Sequence, residues 1–129
     1  MAEGIFKKLI NRKIFVQSAG VFDTLEIDGF TVKVCNEINV KLSTHRVRSL
    51  REMEKEGGFI GSFDLIIPLT KESSEEAYKY SRYSSVMIED WTVDEPVKTE
   101  NDINQTLYSY RMTRDIILEK IIDRFQGYF

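Results

Sequence analysis

Cysteine and histidine each occur once in the 129 residues, as Cys35 and His45. One cysteine excludes an internal disulfide and any metal site built mainly from thiolates, and one histidine leaves few further ligands for a transition metal. No metal and no cofactor is therefore expected. There is no run of 18 apolar residues, and the opening Met1-Ala2-Glu3 lacks the charged start and apolar stretch of a signal peptide. No membrane association is expected, and the cytoplasm is the expected location. An excess of one charge is also lacking, since 18 Lys and Arg stand against 21 Asp and Glu, mixed along the chain. No basic footprint argues for nucleic acid. With two prolines there is no Pro/Ser-rich linker, and the chain carries no repeat and no low-complexity segment. What remains is an ordinary globular composition, 42% hydrophobic and 30% charged, at a length that one core can serve. A single domain over residues 1–129 is expected.

Helical periodicities alternate with short apolar runs. Ile5, Phe6, Leu9 and Ile10 recur on one helical face, with Lys7, Lys8 and Asn11 opposite. Ile14-Phe15-Val16 suits a buried parallel strand, and the small residues Ser18-Ala19-Gly20 then allow close backbone approach. Asp28-Gly29 marks a turn, after which Val34, Cys35 and Ile38 share a face of a second helix. Ser49-Leu50-Arg51-Glu52 has capping-box spacing and opens a charged helix that Gly57-Gly58 closes. Phe63-Asp64-Leu65-Ile66-Ile67, between Gly61-Ser62 and Pro68, is the strongest strand signal and is predicted to be central. A second capping box, Ser73-Ser74-Glu75-Glu76, predicts a helix to about Tyr80 or Arg82, followed by the strand Ser85-Val86-Met87-Ile88. Leu107, Tyr110, Ile117, Ile121 and Phe125 predict a long helix over about 103–125. This alternation predicts an α/β fold, a three-layer sandwich around a small parallel sheet.

Taken in order, several segments resemble the low-molecular-weight protein tyrosine phosphatases, with the related arsenate reductases next. They are Met1-Ala2-Glu3-Gly4, Ser18-Ala19-Gly20, Leu42-Ser43-Thr44-His45-Arg46, Phe63-Asp64-Leu65-Ile66-Ile67, Trp91-Thr92-Val93-Asp94-Glu95-Pro96 and the long last helix. The resemblance covers essentially the whole chain. It implies a phosphotyrosine phosphatase I-like fold, and a phosphorylated protein or small phosphomonoester as partner. It also implies a first strand and a Cys-x5-Arg-Ser/Thr loop ahead of the equivalent of Met1. In that loop backbone N–H groups and the arginine hold the phosphate while the thiolate attacks phosphorus. The 129 residues contain no such loop. Cys35 is the one alternative, but Lys41 rather than Arg stands six residues on, and Cys35 reads as a small core residue. The redox relay of an arsenate reductase needs further cysteines.

The resemblance further implies a general acid in an Asp-Pro pair late in the chain. Here Glu95 precedes Pro96, with Asp94 one place earlier, and both are candidate general acids. Proton transfer needs a carboxyl oxygen about 2.6–3.2 Å from the leaving oxygen, and Glu reaches one methylene further than Asp. The competing reading is a solvated acidic loop, because Glu89, Asp90, Asp94, Glu95, Glu100 and Asp102 cluster together. Val97-Lys98 stand where phosphotyrosine-selective members often carry aromatics. His45-Arg46 resemble a recurrent His-Arg element, or else anchor a loop. The six tyrosines read as helix-face residues rather than a stacking platform.

The sheet order implied by the resemblance is 2-1-3-4, which puts the absent first strand between 14–16 and 63–67. Strands lie about 4.8 Å apart, so its loss leaves a gap of about 9.6 Å and two open edges. Four or five missing buried side chains would remove about 6–15 kcal/mol, against a usual total stability of about 5–15 kcal/mol. Three readings stand: an N-terminally truncated, phosphatase-like chain that is inactive as it stands; a non-enzymatic remnant acting as a protein-binding or scaffold domain; and an unrelated small α/β binding domain. Either direct pairing of the Ile14-Val16 strand with the Phe63-Ile67 strand, or concentration-dependent self-association through these open sheet edges, is expected.

Overall fold

The computed structural model describes residues 1–10, 14–22, 26–57 and 60–129. The chain divides into two units, one formed by Met1–Ser18, Glu26–Arg46 and Glu95–Phe129, the other by Ala19–Leu25 and Val47–Asp94.

The first unit is built on a long helix, α5 (Ile103–Arg124), against which α1 (Ala2–Leu9) and α2 (Gly29–Asn36) pack. Helix α5 starts where the Asp102 side chain accepts from the Gln105 N–H at 3.0 Å. Leu107, Tyr110, Arg114, Ile117 and Ile121 follow three or four residues apart and are buried, each apolar one contributing about 1.5–3 kcal/mol. Arg114 is accommodated in this stripe because Nη1 donates to the Val34 carbonyl at 2.9 Å and to Glu37 at 2.7 Å, while Nε donates to Asp115 at 2.8 Å. A charge can be buried only with such partners. Helix α1 buries Ile5, Phe6 and the following Ile10, and Phe6 meets Phe125 edge-on at 4.7 Å between ring centroids. Asn11, expected on its polar side, lies outside the described residues. Asp28 caps α2 by accepting from the Phe30 N–H at 3.0 Å. A turn follows the helix and closes at Asn39, whose φ of 60° lets the Val40 N–H reach back to the Cys35 carbonyl at 2.9 Å. Asparagine tolerates this left-handed conformation better than most residues.

The second unit holds the sheet. Strands β1 (Leu65–Ile66) and β2 (Met87–Ile88) pair in parallel, Leu65 opposite Met87 and Ile66 opposite Ile88. Pairing continues beyond the strands, the Trp91 N–H donating to the Pro68 carbonyl at 3.1 Å and the Val93 N–H to that of Leu69 at 2.9 Å. A parallel bridge also joins Gly20 to Ser49. Helix α3 (Leu50–Lys55) opens on the expected box, the Glu52 N–H donating to Ser49 Oγ and the Glu52 carboxylate accepting from the Ser49 N–H. Gly57 follows at φ 88°, and Gly58 lies outside the described residues. Helix α4 (Lys71–Ser81) connects the strands and packs on β2. The result is a mixed α/β fold with a small parallel sheet, in agreement with the expected class. Among the described residues no helix is long and apolar enough to cross a membrane.

Several local expectations are corrected. Ile14-Phe15-Val16 joins no strand, and Phe15 is 71% exposed. Three apolar residues carry too little period to fix a face, and a strand exists only where a partner ladder forms. The 63–67 segment contributes two strand residues, because Gly61 and Ser62 belong to a 3-10 turn (Ile60–Ser62) and Pro68 has no N–H to donate. Among the described residues the two strands pair with each other and with no third, so β1 does not take the central place expected of it. The strand expected over 85–88 is likewise reduced to Met87–Ile88. Helix α4 opens three residues before the Ser73-Glu76 box. Thr70 is its cap, Thr70 Oγ1 accepting from the Ser73 N–H at 3.1 Å while Ser73 Oγ accepts from the Thr70 N–H at 3.0 Å. A serine thus fills the position that usually takes Glu or Gln.

Candidate functional site

The segment that carries Asp94 is set by hydrogen bonds of the second unit. The Asp90 carboxylate accepts from Ser74 Oγ at 2.6 Å, from the Thr92 N–H at 3.0 Å and from Thr92 Oγ1. The bonds from Ser74 and then Thr92 hold the Asp90 carboxyl below its ordinary range. They also hold Thr92 at φ 21°, a left-handed value that a β-branched residue rarely adopts. Trp91 Nε1 donates to Glu89 at 2.8 Å, and Val93 is buried. Asp94 follows with its side chain exposed.

Glu95, also exposed, opens the next stretch of the first unit, and the backbone beyond it is tied to α5. The Val97 N–H donates to Ser109 Oγ at 2.7 Å and the Thr99 N–H to Thr106 Oγ1 at 2.9 Å. Lys98 Nζ lies 3.7 Å from Asp28 Oδ2 and 6.0 Å from the centroid of the Phe30 ring. Asp28 in turn accepts from the Tyr110 hydroxyl; burial first, then this bond, pushes the Tyr110 pKa up. Glu95-Pro96 therefore heads a segment held at three successive residues. An exposed carboxyl on such a backbone is accessible to a substrate oxygen, which general acid chemistry requires.

Cys35 is fully buried in α2, and that burial pushes its thiol pKa up despite the opposing fields of the N-terminal amine and Arg114. Such a cysteine is a poor nucleophile, because the thiolate is the reactive form. His45 and Arg46 are separated in environment: the His45 side chain is 12% exposed, whereas Arg46 is exposed. Among the described residues no group of three or more His, Cys, Asp and Glu is placed to hold a metal ion.

The sequence reading missed Glu3, a buried carboxylate at the centre of a polar cluster. Its Oε1 accepts from the Ser18 N–H at 2.6 Å and from Ser18 Oγ at 3.0 Å, and its Oε2 lies 3.0 Å from Lys7 Nζ and 3.1 Å from His45 Nδ1. Burial pushes this carboxyl up, but the bonds from Lys7 and Ser18 and the field of His45 outweigh it and hold the pKa below its ordinary value. A signal was present, since Glu3 falls three residues before Phe6 and seven before Ile10, on the apolar side of α1. The cluster joins three of the segments that carry the resemblance, at Met1-Ala2-Glu3-Gly4, Ser18-Ala19-Gly20 and His45-Arg46.

No curated protein matches the chain. A family model described as low molecular weight phosphotyrosine protein phosphatase does, over residues 1–126. The order of motifs, the mixed α/β fold with its parallel strands, and a match over nearly the full length agree, and the chain belongs to the low molecular weight phosphotyrosine protein phosphatase family.

Proposed function

We propose that this protein serves phosphomonoester hydrolysis on a phosphorylated protein or a small phosphomonoester. Glu95 is the general acid, with Asp94 as the second choice, and these 129 residues by themselves do not turn over substrate. The family supports the reaction class. The buried, helical position of the single cysteine carries the last part, because no other thiol exists and Lys41 occupies the place of a phosphate-clamping arginine. Lysine offers a point charge where arginine offers a planar, bidentate fork.

Glu95 is preferred over Asp94 because it directly precedes Pro96 and heads the segment that Ser109 and Thr106 tie to α5. Its task would be to protonate the leaving alkoxide or phenoxide oxygen as the phosphorus–oxygen bond breaks. The test uses a version carrying a strand and a Cys-x5-Arg-Ser-Pro segment ahead of Met1, assayed on an aryl phosphate. In that background Glu95→Gln should lower kcat by about 10²- to 10⁴-fold, with Asp94→Asn changing it little. The reverse result would move the acid to Asp94. No effect from either would remove this loop from the reaction.

A further inference from the structure

We propose that the outer face of helix α5 is a self-complementary surface through which two copies of this chain pair, helix against helix and antiparallel, about a two-fold axis at Met112. The inner face of α5 carries the buried stripe Leu107, Tyr110, Arg114, Ile117 and Ile121, where the helix packs with α1 and α2. At about 100° per residue, Tyr108, Met112 and Ile116 fall about 180° away from that stripe. They stand four residues apart, so they form one apolar row about 12 Å long on the far side of the helix. Their exposures are 64%, 49% and 38%. An exposed apolar residue by itself is ordinary, but three adjoining ones turned away from the core form a patch of the kind that meets another molecule. The row belongs to α5 alone and owes nothing to the sheet or its edges.

The polar residues beside the row select a second copy as the occupant and fix its direction. Toward the N-terminus of α5 they are neutral, Gln105 and Ser109, and toward the C-terminus they are mostly acidic, Asp115, Glu119 and Asp123. A parallel pair would set each acid against its own copy, which is repulsive. An antiparallel pair avoids this. With Met112 on the axis, Tyr108 faces the partner's Ile116 and Glu119 faces the partner's Gln105, while Asp115 and Asp123 meet the partner's Ser109 and the partner's Asn101. Lys120, the one cation beside the row, falls opposite the partner's Asn104, so no like charges meet. The Gln105 amide is placed to donate to the partner's Glu119 carboxylate, twice by symmetry, and the two helix dipoles oppose. A row of three side chains falls short of the roughly 800 Å² per partner of a standard interface, and dissociation at about 10 µM to 1 mM is expected.

The test is sedimentation velocity of the 129-residue chain from about 1 µM to 1 mM, with circular dichroism to confirm that each variant is folded. The expected result is a monomer that converts to a dimer on concentration. Met112→Glu sets two carboxylates together on the axis and should weaken the dimer at least tenfold. Gln105→Lys gives each Glu119 a cationic partner across the contact and should tighten the dimer about 2- to 10-fold. Both positions are exposed and lie outside the core, so neither change should alter the fold of the monomer. A monomer at every concentration would overturn the proposal and leave the face to a different protein. A dimer that neither variant changes would also overturn it, by placing the contact on another surface such as a sheet edge. So would a dimer weakened by Gln105→Lys, because only a parallel pair brings the two added cations together.

Discussion

Replacing Glu3 tests whether the buried carboxylate organises the segments around it. Glu3→Ala removes an acceptor for the Ser18 N–H and Ser18 Oγ and the partner of Lys7 and His45. Hydrogen bonds to a charged acceptor contribute about 1.5–3 kcal/mol each, but Lys7 is mostly exposed and its pairing adds little. Counting the two Ser18 bonds and the largely buried His45, the loss should be about 3–5 kcal/mol, in the range for removing one partner of a buried pair. At this length about 4 °C per kcal/mol is expected, so Tm should fall by about 12–20 °C. Glu3→Gln keeps the volume and one acceptor oxygen, and should cost about 1–3 kcal/mol. The dependence on pH has a definite sign. The folded pKa of Glu3 lies below its ordinary 4.5, so the charge-dependent part of its contribution is full above that value. It is lost as pH falls through the lowered folded pKa. Urea unfolding followed by circular dichroism, on the parent and both variants between pH 7 and pH 3, measures this. A difference under about 0.5 kcal/mol for Glu3→Ala at pH 7, or one that grows on acidification, would refute the reasoning.

Arg114→Met should cost about 1–3 kcal/mol in the same assay, because it takes from the Val34 carbonyl its Arg114 donor and leaves Glu37 with Arg111 alone. That deficit should shrink as pH drops from 4.5 toward 2, since Arg111 first, and Arg114 with it, holds the folded Glu37 pKa at about 2. Asn39→Val should destabilise by about 1–2 kcal/mol by forcing a β-branched residue to φ 60°, whereas Asn39→Gly should be near neutral; chemical denaturation separates them. Cys35 should resist a thiol-specific disulfide reagent in the folded chain and react fully in denaturant, and fast labelling of the native state would contradict its burial.

Those parts of the fold that depend on residues close along the chain were legible in the sequence. Helix α5, 22 residues long, follows from a periodic stripe that runs from Leu107 to Phe125, and the Ser49/Glu52 box from side chains three residues apart. Strands were not legible to the same degree. Ile14-Phe15-Val16 and 63–67 have the composition of strands, but a ladder is a relation between distant segments, and the one that forms joins Leu65 to Met87 and Ile66 to Ile88. The Ser73 box failed for a subtler reason. Thr70 and Ser73 satisfy the same spacing three residues earlier, and Ser73 acts as the inner member of that box rather than the outer member of its own. In the candidate site, Glu95 and Asp94 were singled out by their place beside Pro96, while the ties from Ser109 and Thr106 lie on another element and leave no local signal. Glu3 escaped notice because Ser18 and His45 stand 15 and 42 residues away.

On the proposed function, the chain keeps the family scaffold and its single cysteine, buried in α2, takes no part in phosphoryl transfer. The direct measurement is turnover of an aryl phosphate by the purified 129-residue chain and by its Cys35→Ser variant, prepared identically. No release of the aryl alcohol above buffer is expected from either protein. Turnover by the parent chain that disappears in Cys35→Ser would contradict it, by making the buried thiol the nucleophile.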